Sequence, residues 1–105
     1  MIHLDRQQTY LVESDSDGTV LLALWPKLEA DRVEWFDTVR DRGFRVRAAH
    51  EEDGAVVVET ERHRYRFRPL DLTLYRERVQ HRVDGRPEFA STEAVQAFYA
   101  RFAAG

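Results

Sequence analysis

Arg62-His63-Arg64-Tyr65-Arg66-Phe67-Arg68 alternates guanidinium with aromatic or imidazole side chains, the densest run of chemistry-bearing residues in the chain. Extended as a β-strand, such a run sends successive side chains to opposite faces, so the arginines share one side while His63, Tyr65 and Phe67 share the other. Alternate arginines then lie about 6.6 Å apart, close to the spacing of phosphates on a nucleic-acid strand, and an open aromatic face could stack bases. Arg76 and Arg78 follow and widen the basic area. The candidate binding residues are therefore Arg64, Arg66, Arg68, Arg76 and Arg78. Arg62 sits at a break in strand parity and is set apart.

Other reactive patterns are weaker. The acidic turn Glu13-Ser14-Asp15-Ser16-Asp17-Gly18 opens like a calcium loop, but Leu24 stands where such a loop needs its closing glutamate. His3, His50, His63 and His81 have no partner histidine at helical metal-site spacing; His50 with Glu51, and His63 with His81, are the pairs to inspect for coupling. There is no cysteine and no G-x-S-x-G elbow, and the glycines are isolated rather than clustered around a phosphate. No catalytic residue, metal or cofactor is assigned, although carboxylates gathered only by the fold leave room for an acid-base enzyme.

Composition bounds the elements that hold these residues. A chain of 105 residues, 43% hydrophobic and 33% charged, is one domain able to bury its own core without disulfides. Residues 1–6 lack a basic-then-apolar leader pattern, and the longest apolar run, 20–25, is too short to cross a bilayer, so a cytoplasmic protein with no membrane partner is expected. The net charge of −3 conceals a split: residues 1–61 carry fourteen acidic and seven basic side chains, residues 62–105 five acidic and nine basic.

The apolar pattern predicts an α+β domain over 1–105, a largely antiparallel sheet of four to five strands with helices mainly on one face, in the order β-β-α-β-β(-β)-α-α. Residues 9–14 and 19–25 form a hairpin around Ser16-Asp17-Gly18, with Tyr10 facing Leu24 and Val12 facing Leu22. The second strand is apolar throughout, as in a central strand covered on both sides, and Pro26 ends it. Leu28, Val33, Trp35, Phe36 and Val39 predict a helix over 29–42, with Gly43 just past its C-terminus.

Residues 44–50 and 55–61 predict a second hairpin. A two-residue Asp53-Gly54 turn sets Ala48 opposite Glu59. A three-residue loop instead sets Ala48 opposite Val58, with Arg47 meeting Glu59 and Arg45 meeting Glu61, and is preferred because it keeps carboxylates off the apolar face. The match of Asp17-Gly18-Thr19-Val20 to Asp53-Gly54-Ala55-Val56 raises the prospect of a ββα pseudo-repeat. Between Glu61 and Arg64 either a bulge or a turn must flip parity before Tyr65 and Phe67. Asp71 caps a helix through Leu72, Tyr75, Val79 and Val83, for which a strand is the competing assignment, and Asp84-Gly85-Arg86-Pro87 breaks the chain. Ser91 caps the last helix, with Val95, Phe98, Tyr99 and Phe102 on one face.

These features favour a non-catalytic interaction domain, self-associating as a homodimer or binding a protein partner through its opposed charge, over a nucleic-acid module using Arg64, Arg66 and Arg68. The two part on a salt series. Three phosphate contacts on duplex predict a slope of log K against log salt near about −2.7, and absence of binding at about 50 mM salt removes the nucleic-acid reading.

Overall fold

A computed structural model describes residues 2–78 and 89–103, with the side chains of Arg78, Phe102 and Ala103 outside the description. Seven antiparallel strands, β1 (Tyr10–Ser14), β2 (Val20–Leu28), β3 (Arg32–Phe36), β4 (Asp41–Arg45), β5 (Ala48–Glu52), β6 (Ala55–Glu59) and β7 (Arg64–Pro69), precede helices α1 (Leu72–Arg78) and α2 (Thr92–Ala103). The α+β class holds broadly, but the count of four to five strands and their order are corrected.

The strand order β4-β3-β2-β1-β7-β6-β5 places β4 and β5 at opposite ends of the sheet, yet only Val46 and Arg47 separate them in the chain. Three peptide steps from Arg45 to Ala48 reach at most about 11 Å. Six inter-strand spacings in a flat sheet come to about 29 Å. The sheet must therefore roll until its ends meet. Val46 N–H donates to Asp31 C=O at 2.8 Å, beside β3, and Arg47 N–H donates to Glu59 C=O at 2.8 Å, on β6. Strands β4 and β5 are thus two halves of one bent strand that closes a barrel, with β1 against β7 completing the ring.

Rings from distant strands meet inside it. Trp35 on β3 lies 5.2 Å from Phe67 and 5.3 Å from Tyr65 on β7, and Phe44 on β4 lies 5.2 Å from Tyr65, centroid to centroid. Tyr10, Val12, Ala23, Val33, Val56 and Val58 complete this interior. On the outer surface Leu11, Val20, Leu22, Leu24 and Phe36 pack against Tyr75, Phe89, Val95 and Tyr99 from the C-terminal segment. The uniformly apolar stretch 20–25 of β2 is thereby explained: one face looks into the barrel and the other lies under the helices, as its composition requires. Each such buried aliphatic or aromatic side chain contributes about 1.5–3 kcal/mol.

The helix expected over 29–42 is a hairpin instead. Val33 and Trp35 are buried while Arg32 and Glu34 are exposed, a period of two, and Val39, placed on the supposed apolar stripe, is 53% exposed. Its turn is built by Asp37, whose Oδ1 accepts the Val39 and Arg40 N–H groups at 3.0 Å, with Thr38 at φ 78°. Such side-chain-to-backbone bonds compete with helix. Gly43, read as a helix end, lies within β4, where a Cβ would overlap the Arg32 guanidinium. Nor does Pro26 end β2, which continues to Leu28 through an irregularity between Leu24 and Lys27, with Trp25 at φ 50°.

Both hairpin registers are corrected. Tyr10 pairs with Ala23 and Val12 with Leu21, because the β1–β2 loop is one residue longer than expected. Ala48 pairs with Glu59 around a two-residue Asp53-Gly54 turn, the register set aside on the sequence. Asp53 at φ 51° and Gly54 at φ 80° supply the left-handed pair that a type I′ turn needs. Its apparent fault disappears because Ala49, not Ala48, points inward, and because the Glu59 carboxylate bonds Arg64 at 2.8 Å, while Arg47 meets Glu59 through the backbone. Arg45 pairs with Arg32 on β3 rather than with Glu61. A ββα repeat is excluded, since a strand pair fills its helical third and the two loops differ.

Parity flips at a turn over 60–63, where Thr60 N–H and Oγ1 both donate to His63 C=O, and β7 starts afresh. The C-terminal expectations hold where described. Asp71 Oδ1 accepts from Thr73 and Leu74 N–H at the start of α1, and Ser91 Oγ accepts from Ala94 N–H at the start of α2. Val79, Val83, the 84–87 break and the side chain of Phe102 lie outside the described residues.

Gly54→Ala is expected to cost about 1–2 kcal/mol in urea unfolding, from the left-handed backbone it must keep. Gly43→Ala is expected to cost clearly less, because the exposed end of Arg32 can swing aside. Equal losses would contradict this account of the turn.

Candidate functional site

In an up-and-down barrel alternate turns gather at the same end. Here the 15–19, 37–40 and 60–63 turns surround a cavity of about 220 Å³. Its floor is Val12, Leu21, Trp35 and Tyr65, and its rim Ser14, Ser16, Asp17, Thr19, Asp37, Arg42 and His63. The opposite end receives the N-terminal residues, with Leu4 buried in the barrel core.

Asp37 anchors the rim. Its side chain is 1% exposed, and besides the two turn N–H groups it accepts Arg42 Nε at 2.7 Å. Burial alone would raise its pKa, but the bonds from Arg42, Arg40 and Val39 outweigh burial and hold the carboxyl below the usual range. The 15–18 loop is fixed in its own way. Asp17 Oδ1 accepts Thr19 N–H at 2.9 Å, which lowers its pKa, and Asp15 Oδ1 accepts Arg64 N–H at 2.9 Å while lying 4.0 Å from His63 Nδ1. Asp15 and Asp17 of the calcium-like turn are thus engaged by backbone donors, and no group of three or more metal-binding side chains occurs among the described residues.

Trp35 packs tightly into the floor. It is 4% exposed, and its indole Nε1 is buried against packed side chains, turned away from the open space of the cavity. Beside it, burial raises the pKa of Tyr65, so the phenol is a neutral hydroxyl at physiological pH.

The arginine ladder lies elsewhere. Tyr65 and Phe67 point inward as expected, leaving Arg64, Arg66 and Arg68 on the outer face of β7. Each of the three stands beside a carboxylate. Arg64 Nη2 lies 2.8 Å from Glu59, Arg66 Nη2 2.8 Å from Glu52 and Arg68 Nη2 3.9 Å from Glu13. The bond between Glu52 and Arg66 lowers the carboxyl pKa and raises that of the guanidinium. Arg76 donates to Phe89 C=O at 3.3 Å, and the side chain of Arg78 is outside the description. His50 meets Glu52 at 3.2 Å rather than Glu51, and His81 lies outside the described residues.

Of the residues singled out from sequence, His63 and Tyr65 reach the cavity, together with parts of the acidic turn. Trp35, Asp37 and Arg42 were hidden by the helix reading of 29–42. The signal that could have found them is the alternation Arg32, Val33, Glu34, Trp35 followed by aspartate in a turn. No family model, curated protein or solved structure matches this chain. Fold and cavity together define a small antiparallel barrel with a polar mouth.

Removing Asp37 leaves a half-buried guanidinium without its partner, so Asp37→Ala is expected to cost about 3 kcal/mol. The folded carboxyl titrates below the unfolded value near about 3.9, so its contribution is present above that pH and is lost as pH falls through the folded pKa. Asp37→Asn should therefore flatten the loss of stability below about pH 4 in acid-unfolding curves. An unchanged acid limb would contradict the pairing.

Proposed function

We propose that this chain is a small non-catalytic binding domain that takes a small polar ligand in the mouth of its barrel. The observation that carries this is a cavity of about 220 Å³ with an apolar and aromatic floor and a rim of hydroxyls and charge. Barrel mouths are common ligand sites, because the strands hold a few polar groups rigidly over an apolar floor.

The grounds for the other readings are largely used up within the molecule. Pairing between copies, or with another protein, drew on the acidic first half and basic second half. The three β7 arginines instead meet Glu13, Glu52 and Glu59, all from that acidic half. The second strand, apolar throughout, offers no free apolar face either. Leu22 and Leu24 are buried under the helices, and Trp25 packs against Phe36 at 5.9 Å. A nucleic-acid surface needs free cations, and these three are balanced. One observation favours acid-base catalysis as a second reading, the approach of His63 to Asp15 at the cavity rim.

A fragment library screened by 15N–1H NMR tests the ligand reading. Compounds that bind should shift Trp35 Nε1–H and the amides of the three rim turns, and shifts confined to other surfaces would contradict it. Replacing Arg64, Arg66 and Arg68 together by alanine should leave those shifts in place and cost less than about 1 kcal/mol per pair. No duplex binding is expected at about 50 mM salt, before or after the replacement.

A further inference from the structure

We propose that the open edge of β5 pairs antiparallel with the same edge of a second copy of this chain, His50 facing its own counterpart, to give a weak homodimer. The contact is independent of the mouth and of the charge split between the two halves of the chain. Barrel closure runs through the bend at Val46 and Arg47, so β5 ladders with β6 on one side only, and four of its five residues are exposed. Glu52 and Ala55 flank the two-residue turn as a hydrogen-bonded pair, and by alternation Ala48 and His50 also bond β6. Ala49 and Glu51 therefore turn their N–H and C=O groups to the open side. Among the described residues no backbone group meets them there.

Charge on an edge strand normally discourages pairing. In this segment, however, the charges are sorted by sign, with Arg47 at one end and Glu51, Glu52 and Asp53 at the other. A parallel neighbour sets like charges together, whereas an antiparallel one sets opposite charges together. Three antiparallel registers join the outward groups. Glu51 opposite Glu51 is repulsive, and Ala49 opposite Ala49 calls next on the Arg47 N–H, which is already given to Glu59 C=O. Ala49 opposite Glu51 forms two bonds at each of its two pairs and brings Arg47 beside Asp53 and Glu51 of the second copy. Among the described residues, and unlike the β7 arginines, Arg47, Glu51 and Asp53 have no ion pair within the chain. So short a contact makes a small interface, hence the weak association.

Sedimentation velocity of the full chain between about 10 µM and 1 mM is expected to show a monomer–dimer equilibrium. With rising concentration, NMR shifts and slowed amide exchange should concentrate at Ala49 and Glu51, whose N–H groups exchange fast in the monomer while those of His50 and Glu52 are protected. Arg47→Glu opposes Glu51 and Asp53 of the second copy, and the double change Glu51→Lys with Asp53→Asn opposes its Arg47. All three positions are exposed, and asparagine suits the left-handed turn. Each variant should weaken self-association at least about tenfold, and mixing the two should restore it to within about threefold of the original chain. Mixing would not cure a defect of folding. A chain monomeric throughout that range, a dimer whose shifts lie away from 47–53, or a mixture no tighter than either variant alone overturns the proposal. So does protection of the Ala49 and Glu51 amides in the dilute monomer, which would mean that the edge is covered from within the chain.

Discussion

Two residues, Val46 and Arg47, carry the chain from one end of the sheet to the other, and the rest of the structure follows from that short step. A connection this short cannot cross an open seven-stranded sheet, so the sheet curls and its ends come together. Curling creates an inside, which aromatic residues from β3, β4 and β7 fill. It also gathers alternate turns at one end, and those turns make the polar mouth.

Charge follows the same topology. Because β7 returns to lie between β1 and β6, the basic segment is delivered into the acidic half of the chain. Arg64, Arg66 and Arg68 meet carboxylates on β6, β5 and β1 across the outer surface. Exposed pairs like these add little stability, but they help fix the register of a strand whose inner face must be aromatic. The more consequential pair is Asp37 with Arg42, buried at the rim, where it fixes the β3–β4 turn and orients a guanidinium beside the cavity.

Much of this was legible in the sequence, in proportion to how local the signal was. The inward aromatics of β7, the two-sided burial of β2 and the caps at Asp71 and Ser91 depend on parity and neighbouring residues, and these expectations hold. The helix over 29–42 failed because Val33, Trp35 and Phe36 satisfy both periods over so short a stretch, and the side-chain bond of Asp37 to its own turn decided the matter. The second hairpin's register failed on an assumption about which alanine points inward, and that depends on the bend at Val46 and Arg47. Of the site, His63 and the acidic turn stood out, but their convergence with Trp35 and Arg42 is set by barrel closure. Closure is a long-range property that no local window contains.

The most direct test of closure is a set of nuclear Overhauser contacts between the rings of Phe44 and Tyr65 and between those of Trp35 and Phe67. In the closed barrel their centroids stand 5.2 Å apart. In an open sheet four strand spacings would hold Phe44 about 19 Å from Tyr65, beyond any such contact. Strong cross-peaks for both pairs are the predicted result. Their absence from a folded, well-dispersed spectrum would contradict the barrel and, with it, the mouth.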